Sequence, residues 1–146
     1  MQIEIRIDEN QAEPKVLILT DKMTEEIDVL LKRLSESRPL IIAGFKDEIL
    51  EIIEPKTIIR AYSSNQRVYA VTEKCEYIVR LRLYELEDRL DKAYFVRISN
   101  TEIINLKKVK CFDLNFVGTI CVTLLDGTIT YVSRRYVSKI KQVLGI

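Results

Sequence analysis

The start of the predicted last helix carries two adjacent cations, Arg134 and Arg135. The positive end of the helix dipole lies at this terminus, so each cation costs roughly a few tenths of a kcal/mol unless an anionic group compensates it. Backbone N–H groups at a helix start bind phosphate oxygens, and a guanidinium group reaches a phosphate or the edge of a guanine. Ser133 precedes the pair as the predicted N-cap, and Lys139 follows about one turn later. The arrangement favours contact with a polyanion; the alternative is a helix face of ordinary solvated charges.

A second stretch with suitable chemistry runs Phe95-Val-Arg-Ile-Ser-Asn-Thr-Glu-Ile-Ile-Asn-Leu. Ser99 and Glu102 have the spacing of a capping box, which predicts that one helical turn begins near Asn100. An exposed Asn pairs with an adenine edge, and the nearby Arg97 suits a phosphate or a guanine. The alternative is that Ser and Asn serve here only as helix caps.

The residue inventory excludes many catalytic sites. The 146 residues include no histidine, which removes His general-base catalysis, Ser-His-Asp and Cys-His nucleophilic sites, and Cys/His zinc clusters. One predicted helix carries four clustered acids, Glu85, Glu87, Asp88 and Asp91. Consecutive surface acids are typical of a solvated helix face rather than of a catalytic pair. We therefore expect that the protein is not an enzyme and takes no cofactor.

The cysteines and the apolar stretches indicate the compartment. Cys75, Cys111 and Cys121 are odd in number and form no CxxC pair, which argues against a disulfide framework. The longest apolar stretches, such as residues 39–43, are far below the ~20 residues that span a bilayer. The N-terminus, Met-Gln-Ile-Glu-Ile-Arg-Ile, alternates in a way unlike a signal peptide. We therefore expect a cytoplasmic, reducing setting.

Charge is divided unevenly along a chain whose formal net charge is only +1. Residues 1–54 carry 7 basic and 13 acidic side chains, whereas residues 55–146 carry 16 basic and 9 acidic ones. A division of this kind indicates an anionic partner for the basic half. The near-neutral total leaves ordinary charge fluctuation as the alternative.

Hydrophobic periodicity predicts a small acidic unit at residues 1–43. Its order is ββαβ, with strands at 2–7 and 15–20, a helix at 23–36 capped by Asp21 or Thr24, and a strand at 40–45. The helix follows from apolar residues at spacings of three and four, and Pro39 follows it as a stop.

The remainder of the chain is predicted to be mostly β. Short runs bounded by turn residues predict strands at 48–53, 58–62, 67–72, 77–82, 109–116, 119–124 and 128–132. Gly118 and Asp126-Gly127 mark hairpin turns. Helices are predicted at 83–90 and at 134–144, the latter with Ser133 as its N-cap and Gly145 as its C-cap.

Together these landmarks resemble the LytTR-type DNA-binding domain of bacterial transcription regulators, over residues 46–146. The matching segments, besides the Phe95 stretch and the Asp126-Gly127 hairpin, are Ile59-Arg-Ala-Tyr-Ser, Arg67-Val-Tyr-Ala-Val-Thr, Leu83-Tyr-Glu-Leu-Glu-Asp-Arg-Leu and Val132-Ser-Arg-Arg-Tyr-Val-Ser-Lys-Ile-Lys. The resemblance implies a mostly β (α+β) fold, an elongated arrangement of sheets buttressed by short helices. It also implies a transcription regulator that contacts DNA through loops rather than through a recognition helix.

The resemblance places the DNA contacts in three loops. The candidate residues are Asn65, Gln66, Arg67, Arg97, Asn100, Thr101, Ser133, Arg134, Arg135, Tyr136 and Lys139. In the closest pattern, Asn100 and Arg135 reach bases. The same pattern implies that the DNA backbone is held by Arg97, Thr101, Ser133 and Lys139. Gln66 stands where some relatives place a histidine, and Gln also binds adenine.

The resemblance also sets the expected partners. These are double-stranded DNA, a second copy in a homodimer and, by analogy with short stand-alone members, a small membrane protein that restrains the regulator. The 1–43 unit is too short for the phosphoryl-receiver domain of many members, and it is the candidate surface for dimerisation or for that regulator. The competing hypothesis is a protein-interaction or ligand-sensing module that has the same fold but does not bind DNA.

Overall fold

The computed structural model describes residues 1–35 and 41–146, and the chain divides into two compact units, Met1–Pro39 and Leu40–Ile146. The first unit contains α1 (Glu25–Ser35). The second contains β1 (Ile42–Lys46), β2 (Ile49–Ile53), β3 (Ile58–Ser64), β4 (Arg67–Thr72), β5 (Glu76–Val79), α2 (Leu83–Arg89), β6 (Phe95–Ser99), β7 (Glu102–Asn105), β8 (Val109–Asp113), β9 (Ile120–Leu124), β10 (Ile129–Val132) and α3 (Arg134–Leu144). None of the described helices is long and apolar enough to cross a membrane.

Helix α1 is the regular element of the first unit. Thr24 caps it, because the Thr24 hydroxyl oxygen accepts a hydrogen bond from the Ile27 N–H at 3.3 Å. Acidic side chains fill its first turn and basic ones its last, which complements the helix dipole. The predicted helix is therefore confirmed over 25–35, and its predicted last residue, Glu36, lies outside the described residues.

The two strands predicted at 2–7 and 15–20 are not formed, so the ββαβ prediction is wrong. Alternation produces a strand only where a partner strand receives the backbone hydrogen bonds and a core covers one face. Among the described residues no hydrogen bond joins the backbone of 2–7 to another segment, and Ile3, Ile5 and Ile7 are 83–94% exposed.

The second unit is built from two antiparallel sheets. The seven-stranded sheet has the order β2-β1-β5-β4-β3-β7-β6, and the three-stranded sheet has the order β10-β9-β8. Strand β1 lies between β2 and β5, so the strand predicted at 40–45 belongs to this sheet rather than to the first unit. The mostly β fold with short helices is confirmed.

The centre of the larger sheet is buried on both faces. Neighbouring residues of one strand point to opposite sides, and Ile58 and Ile103 pack on the side of α2, with Leu86. Their neighbours Ile59 and Ile104 pack on the other side. That second cluster also holds Ile120 and Val122 of the smaller sheet and Ile140 of α3. The paired isoleucines of β3 and β7 reflect this two-sided burial.

The glycines predicted at turns and at the end of α3 have the left-handed backbone conformations that these positions require. Gly118, Gly127 and Gly145 have φ of 72°, 89° and 73°, which side-chain-bearing residues rarely adopt. Gly127 closes the β9–β10 hairpin, and Gly145 ends α3. The predicted turn at Gly127 and the predicted end of α3 at Gly145 are therefore confirmed.

Candidate nucleic-acid interface

The first candidate loop is a two-residue hairpin turn between β3 and β4. Ser64 pairs with Arg67, and the two central residues, Asn65 and Gln66, have φ of 51° and 62°. Two consecutive positive φ values are the signature of a type I′ turn, whose twist matches that of the flanking strands. Asn accepts this conformation readily, whereas Gln does so rarely. The tip therefore presents the exposed side chains of Asn65, Gln66 and Arg67 on a fixed backbone.

The second loop is the β6–β7 hairpin turn, and the helical turn predicted near Asn100 is wrong. Strand residues Ser99 and Glu102 pair across it, which leaves Asn100 and Thr101 exposed at the tip. The Ser99 hydroxyl oxygen accepts a hydrogen bond from the Thr101 N–H at 3.2 Å. Ser caps a hairpin turn here through the same local bond that it would offer to a helix, which explains why the sequence pattern misleads.

Glu102 points inward rather than back to Ser99. One carboxylate oxygen accepts a hydrogen bond from Arg60 Nη1 at 2.8 Å, and the other accepts one from the Thr130 hydroxyl at 2.7 Å. Arg60 also stacks over the ring of Tyr62, 4.5 Å from its centroid. This network around the buried Glu102 ties β3 and β7 of the larger sheet to β10 of the smaller one, next to the second loop.

Arg97 lies beneath the second loop and is largely withdrawn from solvent. Its Nη1 donates to Glu87 Oε2 at 3.0 Å, and its Nη2 donates to the Asn100 carbonyl oxygen at 3.3 Å. Only 14% of the side chain is exposed. These contacts connect α2 to the second loop, and they favour a positioning role for Arg97 over the predicted contact with DNA backbone.

The third group of candidates surrounds the start of α3. Ser133 has the extended backbone of an N-cap, and its carbonyl oxygen accepts a hydrogen bond from the Tyr136 N–H at 2.9 Å. The hydroxyl makes no capping bond, so it stays available to a ligand. Arg134 lies across Gly118, where an added Cβ would come within 3.0 Å of Nε. Arg135 and Lys139 are exposed and have no ion pair within the described residues.

Within the part of the chain that the structure describes, three hydrogen bonds hold the loops together as one surface, here called the loop cluster: residues 65–67, 100–101 and 133–136. The Ser63 N–H donates to the Thr101 carbonyl oxygen at 2.8 Å, which joins the first loop to the second. The Ser133 N–H donates to the Ile98 carbonyl oxygen at 2.9 Å, which joins β6 to the start of α3. The Tyr136 hydroxyl donates to Asn100 Oδ1 at 3.2 Å.

Most of the contacts that build the loop cluster have no local signal in the sequence. Glu87 is ten residues from Arg97 and on another element, so no local pattern pairs them. Ser63 and Ile98 act through backbone atoms, which leave no trace in residue type. The Ser99–Glu102 spacing predicts a cap role for Glu102, although its position before the apolar pair Ile103-Ile104 is a signal of strand rather than of helix.

An open groove of about 1180 Å³ begins beside the first loop. Gln66 and Arg67 line it, and its other cations are Arg80 and Arg82. Asp47, Glu48 and Glu85 also line the groove, so its formal charges balance. The exposed cations Arg135 and Lys139, which have no ion pair within the described residues, do not line this groove.

Comparison with known proteins gives concordant results. The LytTr DNA-binding domain family matches residues 49–145. An HTH-type transcriptional regulator of Staphylococcus aureus strain NCTC 8325, itself described as uncharacterized, is 31% identical over 147 residues, which cover 100% of this chain and 99% of the relative. Its counterpart in S. aureus strain MRSA252 has the same identity and coverage.

A solved structure supports the fold independently. A LytTr DNA-binding domain from Bacillus cereus superposes with a TM-score of 0.70, over 73% of this chain and 97% of that domain, at 19% sequence identity. Strands separate the three helices of the described residues, so no helix-turn-helix is found among them. Family match, full-length relative and shared fold agree: this chain belongs to the LytTR family of DNA-binding domains.

Proposed function

We propose that this protein is a sequence-specific transcriptional regulator that reads bases in the major groove through the loop cluster. The carrying observation is that Asn100 and Arg135 are both exposed and that Tyr136, the residue after Arg135, holds the Asn100 amide. An amide and a guanidinium are the side-chain groups that read adenine and guanine edges. Regulation of transcription is supported by the names of the full-length relatives.

Asn100 is the proposed adenine reader. A bidentate contact needs its Oδ1 to accept from adenine N6 and its Nδ2 to donate to N7. Tyr136 occupies one of the two lone pairs of Oδ1, which leaves the other lone pair and the whole amino group for the base. The same hydrogen bond fixes which way the amide faces, so Asn100 is oriented before DNA arrives.

The remaining candidate residues are assigned to base contacts, phosphate contacts or positioning roles by their side-chain chemistry and exposure. Arg135 is the proposed guanine reader, and Gln66 is a second adenine reader at the tip of the first loop. Phosphate contacts are assigned to the exposed hydroxyl and cationic groups of Arg67, Thr101, Ser133, Arg134 and Lys139. Asn65 and Tyr136 shape the surface, and Arg97 positions the second loop from below.

The test begins with selection of bound duplexes from a random pool at two salt concentrations. Binding of Asn100→Ala, Arg135→Ala and Lys139→Ala proteins is then measured on the preferred and a scrambled duplex across a salt series. Loss of a base contact is expected to cost about 1–3 kcal/mol on the preferred duplex only. Loss of the Lys139 phosphate contact weakens both duplexes equally and lowers the salt slope by about one. Equal weakening of both duplexes by Asn100→Ala and Arg135→Ala would show that these residues only position the backbone.

A second copy of the chain is the other proposed partner. One module of this size covers limited DNA surface, and paired modules on two half-sites extend it. Sedimentation of the free protein measures whether it dimerises, and footprinting on the selected duplex measures whether two half-sites are occupied. A free monomer that protects a single short site contradicts it. The small membrane protein stays a proposal from family analogy, tested by co-purification from membranes with the full chain.

A module that keeps this fold without binding DNA is the second candidate function. The near-neutral net charge of +1 favours it. The same selection separates the two, because sequence enrichment that survives the higher salt concentration requires base contacts. A cytoplasmic location is proposed because the proposed DNA partner lies there.

A further inference from the structure

Residues 2–7 present an unusual surface for a segment outside regular structure. Their apolar and polar residues alternate strictly, as Gln-Ile-Glu-Ile-Arg-Ile. Ile3, Ile5 and Ile7 are 87%, 83% and 94% exposed, and Glu4 and Arg6 form only an exposed ion pair with each other at 3.0 Å. Three isoleucines in such a row carry a large cost in water, roughly 1.5–3 kcal/mol each if left uncovered.

The alternation selects which partner strand can cover these residues. Side chains in a strand alternate with a period of two. When two copies of residues 2–7 pair with Ile opposite Ile, the charged residues are therefore opposite one another too. Glu4 then faces either Arg6 or Glu4 of the second copy. A parallel, in-register pair of copies sets Glu4 against Glu4 and Arg6 against Arg6, and like charges directly opposite are destabilising.

Antiparallel pairing of two copies offers one central register free of that conflict. With Ile5 opposite Ile5 of the second copy, Ile3 faces Ile7 and Glu4 faces Arg6, in both directions. A shift of two residues one way sets Glu4 against Glu4, and a shift the other way sets Arg6 against Arg6. The segment is therefore self-complementary in one register, as a two-fold symmetric interface requires.

We propose that residues 2–7 of two copies pair as antiparallel strands, with Ile5 on the two-fold axis and Glu4 paired with Arg6 of the other copy. The inference rests on the proposed second copy as partner and specifies how it is bound. Pairing supplies the backbone hydrogen bonds that the segment lacks within the described residues, and it stacks six isoleucine side chains on one face.

The second copy is favoured over residues 15–20 of the same chain as the partner. That segment reads Lys-Val-Leu-Ile-Leu-Thr, and its only charge is at its first residue. It therefore offers no acid for Arg6, so its single cation can pair with Glu4 but leaves Arg6 without a partner. Another 2–7 segment offers a partner for both charges, since its Arg6 faces Glu4 and its Glu4 faces Arg6.

Charge reversal tests the register on the full chain without DNA. Glu4→Arg and Arg6→Glu each replace two opposite-charge pairs with two like-charge pairs, so each alone raises the dimer dissociation constant, roughly tenfold. An equimolar mixture of the two variants restores dimerisation, because one copy then carries cations at positions 4 and 6 and the other copy carries anions at both. Glu13→Arg, which changes the net charge as Glu4→Arg does but lies outside the segment, leaves dimerisation unchanged. Sedimentation velocity measures all four samples.

Cysteine substitution tests the symmetry axis. Residues directly opposite in an antiparallel pair have Cα atoms about 4.5–5.5 Å apart, which is within reach of a disulfide. In a Cys111→Ser background, which removes the exposed native thiol, Ile5→Cys cross-links to itself on mild oxidation. Ile3→Cys does not, since the two copies of residue 3 lie about 13 Å apart along the strands. A mixture of Ile3→Cys and Ile7→Cys proteins forms the cross-linked heterodimer.

Three outcomes overturn the proposal: a monomeric full chain, equal self-cross-linking of Ile3→Cys and Ile5→Cys, or a charge-reversed mixture that stays dissociated. The substituted side chains are highly exposed, so folding is preserved, and circular dichroism checks it. DNA affinity of a single half-site is measured in parallel. Binding that persists in a monomer separates failure of this interface from failure of the proposed DNA-binding function.

Discussion

Tyr136 on α3 donates its hydroxyl hydrogen to Oδ1 of Asn100 in the β6–β7 turn, at 3.2 Å. The two residues are 36 positions apart in the chain and belong to different loops of the cluster. The bond sets the orientation of an amide that would otherwise rotate freely. It gives the tip of the second loop a defined pattern of donor and acceptor.

Tyr136→Phe removes this bond and leaves the ring in place. We expect binding to the preferred duplex to weaken about fivefold, since a hydrogen bond of this kind contributes roughly 1 kcal/mol. Binding to a scrambled duplex should change little, because the Asn100 amide makes no base contact there and its orientation does not affect the affinity. Tyr84→Phe, at an exposed tyrosine of α2, is the matched control and should alter neither affinity. An equal loss on both duplexes would assign the Tyr136 hydroxyl to DNA backbone instead.

Gln66→Gly should stabilise the fold while weakening recognition. Gln66 holds a φ of 62°, which glycine adopts without steric cost, so the free energy of unfolding should rise by about 0.5 kcal/mol. The amide that we assign to a base is lost at the same time. Asn65→Gly is the matched control, and its stability should stay nearly constant because Asn tolerates this conformation. Urea unfolding and duplex titration of both variants check the prediction.

Arg97→Ala should act on stability rather than on the salt dependence of DNA binding. Glu87 would lose its partner in a site where the two side chains are 14% and 31% exposed, so we expect a loss of about 2 kcal/mol. The control is Lys92→Ala, which removes the solvated pair with Asp88 and should cost under about 0.5 kcal/mol. A salt slope reduced by about one would instead identify Arg97 as a phosphate ligand.

The fragment that carries DNA binding should begin at residue 40 rather than at 46. Strand β1 lies between β2 and β5, so a fragment that starts at residue 47 loses this strand and leaves β2 without its partner. We expect the 40–146 fragment to fold and to bind a single half-site with the affinity of the full chain. The 47–146 fragment should unfold at lower urea concentration. Loss of binding by a folded 40–146 fragment would assign a direct DNA contact to the first unit.

Stability should fall at high pH partly through Tyr62. Burial, reinforced by the hydrogen bond to Glu76, raises the pKa of Tyr62 from 10.0 to about 12. The folded protein holds this proton more tightly than the unfolded chain, so the contribution is full below pH 10 and is lost between pH 10 and about 12. Tyr62→Phe should reduce the drop in unfolding free energy across that range by about 1 kcal/mol, because solvent screens much of the interaction at this partly exposed side chain. Urea unfolding of both proteins between pH 9 and pH 12 measures the difference.

Tyr77 supplies the comparison within the same titration. Hydrogen bonds with Cys75 and Glu51 raise the pKa of Tyr77 as well, so a residual drop in unfolding free energy should remain in the Tyr62→Phe protein. An unchanged drop in that variant would contradict the assignment to Tyr62.

Elements with strong local signals could be predicted closely. Strand β4 and helix α3 have the predicted bounds, since β4 alternates between turn residues and α3 lies between Ser133 and Gly145. Strands β6 and β7 were missed, because two-sided burial removes the alternation and the Ser99–Glu102 spacing imitates a helix start. The strand predicted at 2–7 failed for the opposite reason: its alternation is clear, but no partner strand lies within the described residues of the chain.

Residue type and the family resemblance propose the members of the candidate site, but they do not predict how those members are arranged. Residue type identifies Asn100 and Arg135 as groups able to read bases, and the family resemblance groups the three loops. Which side chains are exposed depends on long-range partners, as Arg97 shows through Glu87. Such pairings follow from the crossing of elements in space, which a local pattern does not encode.

Two of the three bonds that join the loop cluster in the described residues run between backbone atoms, from Ser63 to Thr101 and from Ser133 to Ile98. A bond between peptide groups survives substitution of almost any side chain at its ends. The spacing of the three loop tips therefore does not depend on the side chains that we propose as base readers. We therefore expect that exchange of tip residues alone changes the preferred DNA sequence, and that a library randomised at 66, 100 and 135 yields altered preferences on an unchanged scaffold.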